Sequence, residues 1–397
     1  MTIIRWVACF VGVCLLAWQA GAAEPAFFPI LAWDNPPNDP AVLKRMQECG
    51  ITVAGFVPPA ALDNCHLAGL KAIVSDTRLS DYDWENVDAV AARARVTEIV
   101  GEVRNHPAVF GYYLRDEPKA AYFPGLAKVA GLVKELHPGA WPYINLFPNY
   151  ASPIALGAPT YDAYVEQFVE TCKPTILSYD HYALMAGTEL RPGYFANLES
   201  IRRAALKHKL PFWNIVLASA HFNYREVTQA DFRFQAYTSL AYGARGLAYF
   251  KYFTPAVGNY RNAPLDQFGN ETPTWYSMQH TNLQIGKLAE TLLKLRSDRV
   301  YHFGNIPEGC VGTDEQSLVT AVRGPMLVGD FTHEDGSRYV MIVNKNLTAS
   351  VTPKPEFREP VTTLYFVSPY NGTLSEFTGE QIWLAPGQGV LLKPSKP

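Results

Sequence analysis

Eight short apolar segments, separated by amphipathic stretches, recur between residues 27 and 253 of this 397-residue chain. Their spacing of about 20 to 40 residues, with a helical period in each gap, is typical of repeated βα units and a parallel sheet. The segments are nearly continuous apolar runs, which indicates strands that are buried on both faces. Eight such units predict a (β/α)8 TIM barrel, with strands over residues 27–33, 51–57, 70–76, 109–115, 141–147, 175–182, 211–219 and 246–253.

The residues after the first strand distinguish between two parallel-sheet topologies. A doubly wound open sheet that binds a nucleotide needs a glycine-rich loop after its first strand. This chain continues instead with LAWDNPPNDP, which is aromatic and rich in proline. The barrel is therefore favoured over the open sheet, and no cofactor is expected.

The two ends of the chain differ in pattern from the barrel region. Residues 1–23 contain one basic residue, an apolar core and a final AGAA, which predicts a cleaved signal peptide. We therefore expect a secreted or periplasmic protein without a stable membrane anchor after cleavage.

The barrel is predicted over residues 24–305. Beyond it, short β patterns broken by EDG, YNG and PGQG turns predict a small antiparallel β-sandwich domain over residues 306–397.

Charge and cysteine content limit the partners of the mature chain. Removing residues 1–23 takes away one of the 34 basic residues and none of the 37 acidic ones, so the net charge becomes 33 minus 37, or −4. Nucleic acid is therefore not expected as a partner, because phosphate binding needs a basic excess.

Cys49 and Cys65 could close a short disulfide loop, or they could be free and buried like Cys172 and Cys310. The cysteine spacing matches no metal motif.

Polar and aromatic residues collect at the carboxyl ends of the predicted strands, where TIM barrels place their reactive groups. Acids, amides and imidazoles hydrogen-bond to the edge of a sugar ring, while tryptophan and tyrosine rings pack against its C–H faces. A carbohydrate is therefore the predicted substrate. The residues predicted to bind it are Trp33, Asp116, Asn145, Tyr179, His181, Tyr182, His221, Tyr249 and Lys251.

Two acids at these strand ends are predicted to be catalytic. Cleavage of a glycosidic bond needs one acid to protonate the departing oxygen and a second carboxylate to stabilise or attack the anomeric carbon. Glu117 and Asp180 follow the fourth and sixth predicted strands, whose tips could face each other across the barrel mouth. Asp116 and Pro118 would also suit a helix start, but a helix cap does not account for Glu117. Burial near Tyr113 would raise the pKa of Glu117, as a general acid requires.

The segments GYYLRDEP at the fourth strand, LAYGARGLAYFKYFTP at the eighth and ETPTWYSMQHTNLQIGKLAETLLKLRSDRVYH in the last helix carry a family resemblance. With them the chain resembles the retaining glycoside hydrolase barrels of clan A, particularly those of β-galactosidase family 42. The segment GDFTHEDGSRYVMIVNKN is similar to the β domains that follow such barrels. The resemblance implies a glycoside hydrolase in which Glu117 is the general acid/base.

The chain departs from the clan pattern at two positions. Asp116 stands where the clan usually has asparagine, and NIVLASAHFNY at the seventh strand lacks the clan's nucleophilic glutamate. The second carboxylate could therefore be Asp180, Glu226 or Glu271, and Asp180 is favoured because it lies directly at a strand end. The roles could also be reversed, with Glu117 as the nucleophile and Asp180 as the acid.

Two other functions compete with glycoside hydrolysis. The missing acid at the seventh strand would suit a barrel that binds a glycan without cleaving it. A metal-dependent sugar isomerase or epimerase would use oxygen and nitrogen ligands such as Glu117, Asp180, His181 and His221. No spacing motif in the sequence supports a metal site.

Overall fold

The computed structural model describes residues 27–187, 189–378 and 382–395. The predicted signal peptide, residues 1–23, lies outside these ranges. Eight parallel strands form a closed barrel in chain order, and the first strand pairs with the eighth through Ile30 and Leu247. The strands are β1 (Ile30–Ala32), β2 (Val53–Val57), β3 (Lys71–Val74), β4 (Val109–Asp116), β5 (Trp141–Leu146), β6 (Leu177–Asp180), β7 (Phe212–Leu217) and β8 (Gly246–Phe250).

Helices connect the strands and cover the outside of the barrel. The first begins after Asp39, whose carboxylate accepts hydrogen bonds from two backbone N–H groups, and the ninth begins at a capping box between Thr228 and Asp231. Within the described residues, no helix combines the length and the apolarity needed to span a membrane. The helices are α1 (Pro40–Glu48), α2 (Leu62–Leu67), α3 (Thr77–Ser80), α4 (Ala89–Val103), α5 (Phe123–Leu136), α6 (Pro153–Leu156), α7 (Tyr161–Cys172), α8 (Tyr194–His208), α9 (Gln229–Ala241) and α10 (Pro273–Leu292).

The barrel wall has a core on each side. Successive residues of a strand point alternately into the barrel and towards the helices. Inside the barrel, Trp213 packs against Trp141 and Tyr143, and a larger apolar cluster fills the space between the strands and the helices. Because of this alternation, Tyr179 and Asp180 lie on opposite faces of β6.

The pairing of β4 with β5 shifts by one residue between Tyr113 and Arg115. After this bulge Asp116 pairs with Asn145. In a regular register Arg115 would pair with Asn145 instead. Bulges near active sites re-aim side chains in this way, and here the shift brings a carboxylate to the end of the strand beside the asparagine.

The strands after the barrel are β9 (Leu295–His302), β10 (Val319–Ala321), β11 (Met326–His333), β12 (Arg338–Asn344), β13 (Glu356–Phe357), β14 (Thr363–Val367), β15 (Leu374–Glu376) and β16 (Gly389–Ser395). Six of them form a sheet in the order β15-β14-β16-β12-β11-β9, while β10 and β13 pair separately. The sheet packs on α9, where Gly389 lies against the ring of Tyr237. The predicted barrel followed by a β domain is confirmed. The sheet begins with β9, ahead of residue 306, where the β domain was predicted to start.

The four cysteines of the predicted mature chain are free. Cys49, Cys65 and Cys172 are buried, and Cys310 is half-buried. The disulfide that Cys49 and Cys65 could have formed is therefore absent. Burial raises the pKa of Cys65 to about 11, so this thiol stays protonated and unreactive at neutral pH.

Candidate active site

Three carboxyl groups meet at the carboxyl end of the barrel. Asp116 ends β4, Glu117 follows it, and Asp180 ends β6. The side-chain amide of Asn145 in β5 donates one hydrogen bond to Oδ1 of Asp116 at 3.0 Å and another to Oδ1 of Asp180 at 2.9 Å. Glu117 and Asp180 are close enough that each shifts the pKa of the other. Because a negative charge on one carboxyl group disfavours ionisation of the other, the two groups titrate as a pair.

The orientation of Asn145 is set by buried hydroxyl groups. Ser178 Oγ donates to Asn145 Oδ1 at 3.0 Å, and the Tyr143 hydroxyl lies 2.8 Å from Ser178 Oγ. Because the amide oxygen already accepts from Ser178, the amide nitrogen faces the two aspartates. All three side chains are fully or almost fully buried, and a satisfied buried network of this kind holds its members rigidly.

Glu117 has an unusual backbone conformation, with φ at 43°. Its N–H donates to the carbonyl oxygen of Asn145 at 2.9 Å. In a regular strand Glu117 would point away from the face that carries Asp116, and the left-handed conformation breaks this alternation. Both carboxyl groups therefore join the same cluster. A non-glycine residue in this region is strained, and such strain is often found at functional sites.

The surroundings raise the pKa of all three carboxyl groups. Burial, followed by the charge of Asp116, raises the pKa of Glu117 to about 7, against the opposing hydrogen bond with Asp180. Burial and then the charges of Glu117 and Asp116 hold the pKa of Asp180 well above its usual range. Burial also raises the pKa of Asp116, while the hydrogen bond from Asn145 lowers it. Glu117 is thus a partly exposed acid that can hold its proton near neutral pH.

A cleft of about 240 Å³ opens beside Asp116, which is the member of the acid cluster that lines it. The rings of Phe56 and Tyr113 lie 4.4 Å apart between centroids, and Trp33 meets Phe56 edge-on at 4.6 Å. Lys251 Nζ pairs with Asp34 Oδ1 at 3.0 Å. The cleft therefore combines aromatic faces with charged groups, and its walls include Trp33, Phe56, Tyr113, Asp116, Phe250 and Lys251.

Tyr150 and Tyr182 lie near Asp180. Burial raises the pKa of both hydroxyl groups, and the nearby charge of Asp180 adds to the effect. The guanidinium of Arg191 lies 4.1 Å from the centre of the Tyr150 ring and donates to the Tyr224 hydroxyl at 3.0 Å. The sequence analysis missed Tyr150 and Arg191. The position of Tyr150 in the loop after β5 was a usable signal for the first, and the sequence offered none for the second.

Three of the residues predicted to bind substrate lie behind the barrel wall, which corrects the prediction. Tyr179 and Tyr249 are fully buried between the strands and the helices, and the Tyr249 hydroxyl donates to Asn282 of α10. His181 is also fully buried, with its Nδ1 at 3.0 Å from Asn197 Oδ1 in α8. The alternation of strand residues accounts for all three, because each points away from the barrel axis.

The other predicted residues surround the cluster in different ways. Trp33, Asp116 and Lys251 line the cleft, and Asn145 lies beneath the acids. Tyr182 is half-buried beside Asp180. His221 is almost fully buried, and its ring lies 5.6 Å from that of Tyr182.

The two remaining candidates for the second carboxylate have other partners. Glu226 is exposed and binds Arg261 and Asn262. Glu271 accepts a hydrogen bond from Tyr276. Of the three candidates, Asp180 is therefore the acid that shares the cluster with Glu117, and the two shift each other's pKa.

The ligands suggested for a metal-dependent isomerase do not converge in the described part of the chain. His181 faces Asn197 on the outer side of the barrel wall, and His221 is enclosed by aromatic rings. No cluster of three or more histidine, cysteine or acidic side chains arranged to hold a metal ion was found among the described residues.

Comparison with known proteins gives a structural match without a sequence match. No protein-family model matches the chain, and no curated protein matches it in sequence. Among solved structures, one described as a glycoside hydrolase is 12% identical with a TM-score of 0.58, and the match covers 94% of this chain and 96% of the other. A family 5 glycoside hydrolase from Bacteroides vulgatus is 11% identical with a TM-score of 0.58, over 93% of this chain and 89% of the other.

A third similar structure is the β-galactosidase of the psychrophilic Marinomonas ef1. It is 12% identical, with a TM-score of 0.52, and the match covers 66% of this chain and 60% of that enzyme. This chain therefore spans less than two thirds of the β-galactosidase. At such identities the likeness concerns the fold, and the chain has the fold of the TIM-barrel glycoside hydrolases.

Proposed function

We propose that this protein is a glycoside hydrolase that cleaves O-glycosidic bonds of an oligosaccharide or polysaccharide with carboxyl groups as acid and base. The proposal rests mainly on one observation, the cluster of Asp116, Glu117 and Asp180 at the carboxyl end of the barrel, where Asn145 hydrogen-bonds to both aspartates and Glu117 and Asp180 shift each other's pKa. The adjoining cleft, with Trp33 and Tyr113 beside Asp116, has the mixture of rings and polar groups that suits a sugar. The fold shared with glycoside hydrolases supports the same conclusion.

Glu117 is the proton donor in this proposal. Its pKa of about 7 lets it carry a proton near neutral pH and release it to a leaving oxygen, which is the condition for efficient general acid catalysis. It is also the most accessible member of its pair, because Asp180 is only 4% exposed.

Asp180 is the second carboxylate, and Asp116 assists it. When Glu117 gives its proton to the glycosidic oxygen, the bond from that oxygen to the anomeric carbon breaks and an alcohol leaves. The negative charges of Asp180 and Asp116 then stabilise the positive charge on the anomeric carbon. Water adds to this carbon and returns a proton to Glu117, which restores the starting state. Asn145 keeps both aspartates in place throughout.

The separation of the two carboxyl groups in the complex with substrate sets the stereochemical course, at about 5 to 5.5 Å for retention and roughly 6.5 to 9.5 Å for inversion. NMR of the first-formed anomer reports which stereochemical course follows.

The test is a hydrolysis screen of the purified protein against laminari-, cello-, manno-, xylo- and galacto-oligosaccharides. We expect product from at least one series, and we expect Glu117→Gln to abolish turnover while calorimetry still detects binding. Glu170→Gln, at an exposed position of α7, is the matched control and keeps full activity. Tight binding without product from any series would favour the non-catalytic glycan-binding barrel, and full activity of Glu117→Gln would refute the assignment.

We also propose that the protein is exported, as its first 23 residues suggest. The support is the sequence pattern of that segment. Expression of the full chain followed by N-terminal sequencing should give a mature protein that begins close to Glu24. An uncleaved N-terminus in the cell interior would contradict this part of the proposal.

A further inference from the structure

A series of ring contacts leads from the cleft wall through His221, which is almost fully buried, to the half-buried Tyr260 and the exposed Phe222. Phe250 lines the cleft, and the His221 ring lies 5.1 Å from it. Tyr260 stacks on His221 at 5.0 Å with the planes 13° apart, and the Phe222 ring meets His221 edge-on at 5.1 Å. We refer to Phe250, His221, Tyr260 and Phe222 as the aromatic strip.

Phe222 is the outer end of the strip and has an unfavourable backbone and an exposed ring. Its side chain is 75% exposed, and its φ is 43°. A single exposed apolar side chain is common on protein surfaces. A phenylalanine in the left-handed region is not common, because its side chain clashes with its own backbone there. The surrounding structure must impose this conformation.

Asn259, from the loop after β8, imposes the conformation. Its Oδ1 accepts from the Phe222 N–H at 2.7 Å, and its Nδ2 donates to the Phe222 carbonyl at 3.0 Å. The same two loops are joined next to this point by reciprocal backbone hydrogen bonds between Ala220 and Arg261. The loops after β7 and β8 therefore fix the backbone of Phe222, while its ring lies in water and adds nothing to the core.

We propose that the aromatic strip, through its accessible rings Phe250, Tyr260 and Phe222, is a binding subsite for further sugar residues of a chain whose scissile bond lies at the acid cluster. This inference rests on the proposed hydrolase function and narrows its substrate to oligosaccharides or polysaccharides longer than a disaccharide. Aromatic faces bind the C–H faces of sugar rings, and the strip continues directly from the cleft wall. A backbone that is already fixed also loses less conformational freedom on binding, which favours affinity.

The experiment compares chain lengths. Binding of laminari-, cello-, manno-, xylo- and galacto-oligosaccharides of two to six residues is measured by calorimetry on Glu117→Gln, and kcat/KM is measured on the otherwise unaltered enzyme. Affinity should rise with length in at least one series. Phe222→Ala should reduce the preference for the hexasaccharide over the disaccharide by about three- to tenfold, since one aromatic contact contributes on the order of 1 kcal/mol. Phe222→Trp should retain that preference.

Two further variants separate this role from a general effect. Asn259→Asp cannot donate to the Phe222 carbonyl, so it should reduce the same length preference through KM rather than kcat. Tyr370→Ala removes a ring that is 71% exposed on the C-terminal sheet and should not alter the preference. An equal loss at all lengths in Phe222→Ala, an equal effect of Tyr370→Ala, or no length dependence in the parent protein would overturn the proposal.

The outcomes distinguish this inference from the proposed function. Length-dependent binding without hydrolysis of any oligosaccharide would support the aromatic strip as a binding subsite and refute the proposed hydrolase function. Hydrolysis with no dependence of binding or kcat/KM on oligosaccharide length would support the hydrolase function and refute the proposed subsite at the aromatic strip.

Discussion

Replacement of Glu117 by glutamine should stabilise the protein at alkaline pH and not at acidic pH. The folded state keeps a proton on Glu117 up to a pKa of about 7, whereas the ordinary value is 4.5. The stability that comes from the neutral form is therefore complete below pH 4.5, and it is lost as the pH rises through 7. Glutamine stays neutral at every pH, and its amide can still donate to Asp180.

The size of the effect follows from the difference between these two pKa values. A difference of 7 minus 4.5, or 2.5, corresponds to at most about 3 kcal/mol at 1.36 kcal/mol for each pH unit. Glu117 is partly exposed, and solvent screens it, so we expect about 1 to 2 kcal/mol. For a chain of this length that is a rise in Tm of about 1 to 3 °C at pH 8.

The assay is scanning calorimetry of the parent protein and Glu117→Gln at pH 5 and at pH 8. The gain in Tm should be clear at pH 8 and small at pH 5. Glu170→Gln, at an exposed position of α7, serves as the control and should behave alike at both values. A gain that is the same at pH 5 and pH 8, or a loss of stability at pH 8, would show that Glu117 is not held in its neutral form.

Three further substitutions test the site. Asp116→Asn removes the charge that helps to raise the pKa of Glu117, so the alkaline limb of the kcat/KM profile should move down by up to about one pH unit; an unmoved limb would contradict this. Asn145→Ala releases both aspartates and should lower kcat about 10- to 100-fold, with an unchanged circular dichroism spectrum as the check on folding. Tyr249→Phe removes a buried hydrogen bond to α10 and should cost about 1 kcal/mol of stability without changing kcat/KM, because Tyr249 lies behind the barrel wall.

The fold could be predicted from the sequence because the barrel repeats one strong signal eight times. Every predicted strand overlaps an observed one, and β4 and β5 differ from their predicted bounds by a single residue at one end. Other predicted strands extend beyond the carboxyl ends of the observed strands. The sixth was predicted to reach residue 182 and the eighth residue 253, whereas β6 ends at Asp180 and β8 at Phe250.

The errors at the site come from side-chain direction rather than from these boundaries, since Tyr179 and Tyr249 lie inside observed strands. Side-chain direction in a strand alternates with every residue, so a list of strand-end residues mixes the two faces. Asp180 points into the barrel mouth, but its neighbours Tyr179 and His181 point outwards. The contact between Glu117 and Asp180 could be anticipated from their strands. The β4 bulge and the left-handed conformation of Glu117 could not, because the sequence carries no sign of either.

The acid cluster is difficult to explain as a device for stability. Among the described residues, no lysine or arginine forms a salt bridge with Asp116, Glu117 or Asp180, while the nearby Lys251 pairs with Asp34. All three acids have raised pKa values, so each charge is disfavoured in the folded state. Glu117 adds backbone strain to this cost. The burial of the acids, the repulsion between their negative charges and the backbone strain at Glu117 all oppose folding. The proposed role in proton transfer accounts for these three features together.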